Sequence, residues 1–156
     1  YHPFQMMADL MTIQEKFSTR SLKGMKIAVS WAYAPSYAKP VSVPQGLIML
    51  MTRFGADVTL ARPPEFALMD GPMKIAARNA AENGGSFRVT DKMDEAVDGA
   101  HVVYAKSWGA LDYFDDKDGY LKLAAKYKDW RVDDARMNRA AADGIYMHCL
   151  PAYRNN

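Results

Sequence analysis

The sequence predicts an α/β domain, a Rossmann-like three-layer fold with a parallel sheet of about five strands. Short apolar runs rich in β-branched residues alternate with helical patterns along the chain, which is typical of a parallel sheet covered on both faces. The 156 residues suffice for one domain with a sizeable core, and they contain no internal repeat and no low-complexity linker. In such a sheet, ligands bind beyond the carboxyl ends of the strands.

The order of the elements follows from periodicity and from Gly, Pro and capping residues. Pro3 suits the first turn of a helix, Gly55 and Gly84 end later helices, and Asp91 is the expected N-cap of another. In chain order we expect a helix over 3–17, a strand over 25–31, a helix over 45–54, a strand over 57–61, a helix over 72–83, a strand over 87–89, a helix over 91–97, a strand over 101–104, helices over 119–127 and 133–141, and a strand over 145–148.

The first helix is expected to bury a single apolar face. That face consists of Met6, Met7, Leu10, Met11, Ile13 and Phe17. Ser18, Thr19 and Arg20 then form a turn that ends the helix. Two long segments, a proline-bearing loop over 33–44 and a polar, aromatic loop over 108–118, are expected to carry function.

Composition excludes several classes of protein. A net charge of +2 is too small to indicate a nucleic-acid or anionic-membrane partner. No apolar run approaches the roughly 20 residues of a membrane span, and no signal segment opens the chain. The single cysteine, Cys149, cannot form an internal disulfide, which favours a reducing cytoplasm. We therefore expect a soluble cytoplasmic protein.

Common cofactor and catalytic motifs are absent from the sequence. The first strand is followed by Ser-Trp-Ala-Tyr over 30–33 and not by a Gly-x-Gly-x-x-Gly loop, and there is no Walker-type loop and no Gly-x-Ser-x-Gly elbow. His2, His101 and His148 are not spaced as metal ligands, and His101 is expected to be structural. The sequence therefore predicts neither a cofactor nor a metal.

The predicted sheet gathers three chemically rich segments at one edge, over 31–37, 106–111 and 149–154. Pro151 stops strand pairing and turns the chain, which leaves the backbone carbonyls of Cys149 and Leu150 free to face a ligand. Cys149 could act as a thiolate nucleophile, but nothing in the sequence indicates a lowered pKa. Taken alone, the segment His-Cys-Leu-Pro over 148–151 is equally well explained as the end of a strand without a function.

Two motifs together indicate a family. His-Pro-x-Gln stands over 2–5, the helix after it contains Ala-Asp-Leu-Met-Thr-Ile-Gln-Glu over 8–15, and His-Cys-Leu-Pro-x-x-Arg stands over 148–154. These segments, in this order, resemble the aspartate/ornithine carbamoyltransferase superfamily. The resemblance covers essentially the whole chain and implies its ornithine-binding domain.

The resemblance implies roles for individual residues. His2 and Gln5 would contact the carbonyl and amino ends of carbamoyl phosphate, and Arg154 would bind the same substrate as a fixed positive charge. The main chain of Cys149 and Leu150 would orient the attacking amine, so the cysteine would be a positioning residue and not a covalent catalyst.

The segment Lys106-Ser107-Trp108-Gly109 resembles the N-acetylornithine branch of the superfamily. Ornithine-using members carry an aspartate there, which pairs with the α-ammonium of ornithine. A lysine would repel that ammonium and attract the α-carboxylate, and acylation of the amine removes the repulsion. Ser107 would support the site through its hydroxyl. The alternative is a solvated lysine on a loop.

The proline-bearing loop over 31–40 also resembles that branch, in which such a loop is threaded to make a trefoil knot; the alternative is a stiff surface loop. The segment over 42–46 is similar to an uncharacterised carbamoyltransferase-like branch, which leaves the acyl group and ornithine itself open.

The family's Ser-x-Arg-Thr-Arg phosphate loop precedes His-Pro-x-Gln, so residues 1–156 are expected to be the amino-acid-substrate domain without the carbamoyl-phosphate domain. Two hypotheses follow: part of a carbamoyltransferase, inactive alone, of the arginine-biosynthesis type; or a non-catalytic amino-acid-binding domain, or a paralogue of unknown substrate. The family implies a homotrimer with carbamoyl phosphate and an amino acid as substrates.

Overall fold

The computed structural model describes residues 2–37 and 39–150. The strands are β1 (Lys26–Trp31), β2 (Asp57–Ala61), β3 (Ser86–Thr90), β4 (Val102–Lys106) and β5 (Ile145–Met147). The helices are α1 (Pro3–Lys16), α2 (Ser42–Arg53), α3 (Asp70–Asn83), α4 (Met93–Val97), α5 (Lys117–Ala124) and α6 (Asp134–Met137). Two short 3₁₀ segments flank α5.

The five strands form one parallel sheet in the order β3-β2-β1-β4-β5. This confirms the predicted α/β fold with a five-stranded parallel sheet. The register places Ala61 beside Ser30 and Trp31 beside Lys106, so β2, β1 and β4 end side by side. We call the residues that end or directly follow the strands the carboxyl edge, and those that begin or directly precede them the amino edge.

Alternating side chains of the strands pack against helices on both faces of the sheet. Ile27 and Val29 of β1 belong to the larger core, which includes residues of α1 and α2. Ala28 points the other way, into a smaller core with Val97 of α4 and Val103 of β4. The three layers position the carboxyl edge, because the fully buried β4 and the buried ends of β1 and β2 fix where their last residues lie.

Helix α1 buries a narrower face than the sequence predicts. Met6, Leu10 and Ile13 are buried, whereas Met7 and Met11 are 55% and 57% exposed. A helical period of 3.6 residues places Met7 and Met11 on a neighbouring stripe, away from α2. The prediction of one apolar face was therefore wrong for these two methionines.

Helices near the carboxyl terminus are shorter than predicted. The expected helix over 119–127 is observed as α5, which begins at Lys117, followed by a 3₁₀ turn over 125–127. The helix expected over 133–141 is only the four residues of α6. Backbone groups near it are used for tertiary contacts instead: the amide of Ala141 donates to the carbonyl of Ala100 over 3.0 Å.

Helix ends follow the predicted residues in three cases out of four, the first being Pro3, at which α1 begins. Gly55 and Gly84 both adopt the left-handed conformation that ends a helix, with φ of +83° and +74°. Asp91 is not the N-cap of α4: that position is Lys92, without a side-chain cap, and its amide donates to the hydroxyl of Thr90 over 3.1 Å. The sequence therefore located α4 but not its first residue.

No helix in the described part of the chain is long and apolar enough to cross a membrane. The strand order does not test the expected trefoil knot. Ala38, in the loop concerned, lies outside the described residues. The knot stays a prediction.

Candidate functional site at the carboxyl edge

Lys106, the last residue of β4, is buried at the carboxyl edge. Its side chain is only 9% exposed, and its Nζ donates to the carbonyls of Ser107 and Pro40 over 2.9 and 3.3 Å. The alternative interpretation, a solvated lysine on a loop, is therefore wrong. A strand that ends against a second loop holds this cation in a fixed place.

The charge of Lys106 has no acidic partner among the ion pairs of the described residues. Burial lowers the pKa of its ammonium group, the Cys149 thiol opposes this, and Lys39 lowers the pKa further. Carbonyl dipoles alone compensate a buried cation incompletely. The site is therefore suited to an anionic group of a ligand.

Two tryptophans fix the backbone beside Lys106. The indole of Trp31, at the end of β1, donates to the carbonyl of Trp108 over 2.9 Å, and the indole of Trp108 donates to the carbonyl of Phe66 over 3.0 Å. Both rings are fully buried. The Trp108 side chain is thus used inside the fold, and its expected contact with substrate stays a prediction. Sequence reasoning missed the role of Trp31, although an apolar strand ending in Trp was visible.

The hydroxyls of Tyr120 and of Ser107, the residue after Lys106, lie near each other. Tyr120 comes from α5 and is fully buried, and neither its hydroxyl nor that of Ser107 has a hydrogen bond of normal geometry within the described residues. Burial raises the pKa of Tyr120, and the nearby Ser107 hydroxyl opposes that shift. The predicted support role of Ser107 thus has a structural neighbour that the sequence did not indicate.

The segment after β5 returns to the same edge. His148 Nδ1 lies 2.6 Å from the carbonyl of Ala105, and Cys149 is buried, with its thiol near Lys106 and Tyr104. Leu150 is 82% exposed. Arg154 lies outside the described residues, so its predicted role is not tested by the geometry.

The amino-terminal motif reaches this edge through α1. His2 is exposed and precedes the helix, and its carbonyl accepts from the amide of Met6 over 3.1 Å. Gln5 Nε2 donates to Oδ1 of Asp9 over 2.9 Å, and Asp9 is 4% exposed. Asp9 in turn interacts with Tyr104 of β4, which also interacts with Cys149.

The structure therefore connects Gln5 to Asp9, and Asp9 through Tyr104 to Cys149, which lies near Lys106. Ser107 lies near Tyr120 instead. His2 and Leu150 are exposed, and no contact of their side chains with this group is described. The connecting residues Asp9 and Tyr104 were not singled out from the sequence; the available signal was a single acidic residue among the buried positions of α1. Within residues 2–37 and 39–150, no group of three or more His, Cys, Asp or Glu side chains could hold a metal.

Known solved structures share this fold. The crystal structure of N-acetyl-L-ornithine transcarbamylase superposes with a TM-score of 0.94 at 39% identity, covering 99% of this chain and 47% of that one. A mutant of the same relative has been solved in complex with carbamyl phosphate and N-succinyl-L-norvaline, and it superposes with a TM-score of 0.94 as well.

Curated proteins of similar sequence are also carbamoyltransferases by name. N-acetylornithine carbamoyltransferase of Xanthomonas campestris pv. campestris is 40% identical over 99% of this chain and 45% of its own length. YgeW of Escherichia coli (strain K12), to which carbamoyltransferase activity is assigned provisionally, is 44% identical over 97% of this chain and 43% of its own length. The chain thus spans less than half the length of the relatives it matches.

A model of the Asp/Orn-binding domain of aspartate/ornithine carbamoyltransferases matches residues 38–156. The match includes Lys106, Trp108 and Cys149 of the carboxyl edge. Together with the relatives and the shared fold, it identifies this chain as a member of the aspartate/ornithine carbamoyltransferase family, of which it carries the Asp/Orn-binding domain.

Proposed function

We propose that residues 1–156 are the amino-acid-substrate domain of a carbamoyltransferase. The enzyme transfers a carbamoyl group from carbamoyl phosphate to the side-chain amine of ornithine or an N-acylated ornithine. The observation that carries this proposal is Lys106, a buried cation at the carboxyl edge without an acidic partner in the described chain. The similarity to N-acetylornithine carbamoyltransferase supports the acylated form of the substrate.

Lys106 binds the α-carboxylate of the amino acid. A buried ammonium attracts a carboxylate more strongly than an exposed one does, because the local dielectric constant is low. The same charge repels a free α-ammonium group, and acylation of that amine removes the repulsion. Lys106 thus selects for the acylated amino acid, and Ser107 supports it from the adjacent position.

The reaction is a direct attack of the side-chain amine on the carbonyl carbon, with phosphate as the leaving group. His2 and Gln5 contact the carbonyl and amino ends of carbamoyl phosphate, and Arg154 binds its negative charge. Donors to the carbonyl oxygen stabilise the charge that develops there during the attack. The carbonyls of Cys149 and Leu150 orient the amine, so positioning and electrostatics carry the catalysis.

The relatives are about twice as long as this chain, which supports a second domain that binds the phosphate end of the donor. The site is complete only with that domain, and the active enzyme is a homotrimer located in the cytoplasm.

A second candidate is a carbamoyltransferase-like paralogue, or a binding domain without turnover, that acts on a different amino acid. The similarity to YgeW, at 44% identity, supports this second candidate. It differs from the first proposal in the identity of the amine, not in the use of the carboxyl edge.

The test is a phosphate-release assay on the full-length natural protein that contains these residues, with N-acetylornithine, N-succinylornithine and ornithine as acceptors. We expect turnover with an acylated ornithine. The Lys106→Met variant should lose about tenfold to 100-fold in kcat/KM, because a charge-assisted hydrogen bond is worth about 1.5–3 kcal/mol.

Lys92→Met is the matched control, since Lys92 is exposed and pairs with Glu95 near the end of β3. Its kcat/KM should stay within about twofold of the unsubstituted protein. Preference for free ornithine over both acylated forms would contradict the role of Lys106. Binding of an acylated ornithine without turnover would favour the second candidate.

A further inference from the structure

The hydrogen bond between Gln5 and Asp9 determines which way the Gln5 amide faces. An ionised carboxylate can only accept hydrogen bonds, so the amide must present its NH₂ group to Asp9. The observed contact, Nε2 to Oδ1 over 2.9 Å, has this orientation. The amide oxygen of Gln5 consequently points away from the Asp9 carboxylate, and it can accept a hydrogen bond from a ligand.

A carboxylate at the position of Asp9 destabilises the folded chain, because it is buried and incompletely hydrogen-bonded. It is 4% exposed, it takes part in no ion pair of the described chain, and its second oxygen, Oδ2, is buried without a hydrogen-bond partner there. Burial raises its pKa, and the contacts with Gln5 and Tyr104 oppose that shift. An apolar residue or an asparagine would avoid the cost of a buried carboxylate, so packing alone does not explain Asp9.

Tyr104 connects Asp9 to the other half of the site. It lies on β4 two residues before Lys106, its hydroxyl is buried without a hydrogen bond of normal geometry in the described chain, and it interacts with both Asp9 and Cys149. Gln5, Asp9, Tyr104 and Cys149 therefore form one connected group between α1 and the end of β5. The group spans both motifs that flank the chain.

We propose that Asp9 is a positioning residue that holds the Gln5 amide with its oxygen toward the carboxyl edge, ready to accept a hydrogen bond from an NH₂ group of the carbamoyl donor. This rests on the proposed function for the identity of the donor. The orientation itself rests only on the geometry of α1. Tyr104 lies close to the Asp9 carboxylate, although no hydrogen bond of normal geometry joins the two side chains in the described chain.

The orientation is tested on the 156-residue chain by NMR of its glutamine side-chain amides. In the unsubstituted chain, the Gln5 NH₂ signals should be displaced from random-coil values and should respond to pH as Asp9 titrates. Asp9→Asn, which keeps the size of the side chain, should abolish both effects. Gln14 is the matched control, because on the same helix it donates to the backbone carbonyl of Arg20 over 2.9 Å. Its signals should be the same in both proteins.

The consequence for the donor is tested by kinetics on the full-length natural protein that contains these residues. Asp9→Asn should raise the KM for carbamoyl phosphate about tenfold while the KM for the amine acceptor changes less than about twofold. Tyr104→Phe should shift the same constant in the same direction by a smaller factor. A merely structural residue would lower the melting temperature without separating the two KM values.

The two arms separate the two possible failures. If the Gln5 signals are identical in the unsubstituted and Asp9→Asn chains, the positioning role is overturned, whatever the activity. If the unsubstituted full-length protein transfers no carbamoyl group but the signals differ as expected, the proposed function is overturned and the orientation by Asp9 stands. Equal changes in both KM values overturn the specific link to the donor.

Discussion

The two edges of the sheet differ in how completely their polar side chains are hydrogen-bonded. At the amino edge, the amide of Lys26 donates to His101 Nδ1 over 3.1 Å, and the hydroxyl of Ser86 donates to Asp57 over 2.7 Å. These side chains are at least partly exposed to water, and their hydrogen bonds are made within the domain. The polar groups at this edge therefore have hydrogen-bond partners within the domain. His101 has the structural role that the sequence predicted.

The carboxyl edge holds polar groups that are buried but incompletely paired. In the described part of the chain, the buried side-chain atoms without a hydrogen-bond partner belong to the residues that directly follow β2 and β4, to Tyr104 within β4, and to two helix residues that interact with these strands or their ends. They are Oδ2 of Asp9, Nε of Arg62, Oγ of Ser107 and the hydroxyls of Tyr104 and Tyr120. Such groups cost stability, and folds tolerate them at functional sites. We infer that the amino edge mainly stabilises the domain, whereas the incompletely paired groups support the functional site proposed at the carboxyl edge.

Gly85→Ala should produce the largest loss of stability, at the amino edge. A Cβ on Gly85 would overlap the backbone carbonyls of Ala56 and Gly55, the latter at 2.7 Å, and backbone cannot move aside easily. We expect the free energy of unfolding to fall by about 3 kcal/mol, measured by urea denaturation. Gly71→Ala is the control: no described atom lies within 4 Å of its Cβ, so the helix should gain about 0.5 kcal/mol. An equal response of both variants would contradict the packing argument.

Trp31→Phe should have the next largest effect, at the carboxyl edge. It removes the donor to the buried carbonyl of Trp108 and leaves space beside it. The free energy of unfolding should fall by about 2 kcal/mol, measured by circular dichroism during denaturation. Trp130→Phe, at a half-buried ring packed edge-on against Trp31, should cost less. If Trp130→Phe costs as much, the Trp31 indole bond is not what holds the loop.

Asp9→Asn should have a smaller effect, whose dependence on pH is the decisive feature. Because burial raises the pKa of Asp9 above 3.8, the folded state holds this proton more tightly than the unfolded chain. The unsubstituted chain should therefore lose stability relative to Asp9→Asn as the pH rises from 3.8 through the raised pKa. Above that pKa the difference is constant. Gln5 and Tyr104, which face Asp9, are common to both proteins.

Urea denaturation of both proteins at about pH 4 and pH 7 measures this difference. A stability difference that does not change with pH would show that Asp9 is not a buried titrating carboxylate, and the contrast between the two edges would lose its main example.

Ser86→Ala should have the smallest effect. The hydroxyl it removes bonds a partly exposed carboxylate, so water can replace it. We expect a change within about 0.5 kcal/mol in the free energy of unfolding. A loss above about 1 kcal/mol would show that the amino edge depends on its side-chain bonds and not on its backbone packing.

The sequence predicted the central strands well because β1 and β2 are short, mainly apolar runs bounded by turn residues. β2 was placed at its observed limits, and β1 differs by one residue. It predicted the buried face of α1 poorly, since Met7 and Met11 are as apolar as Met6 and only the neighbouring α2 decides which is covered. The length of α6 was also missed, because tertiary contacts of the segment after it compete with the helix.

By itself the sequence determined the family, the parallel α/β fold and the edge at which Lys106 and Cys149 meet, since these depend on local patterns and on the rule that parallel strands end together. Only the tertiary structure showed that Lys106 is buried without an acid among the described residues, that Trp31 holds the Trp108 backbone, and that Gln5 faces Asp9. Burial and pairing are properties of groups far apart in the chain, and the sequence does not specify the distances between them.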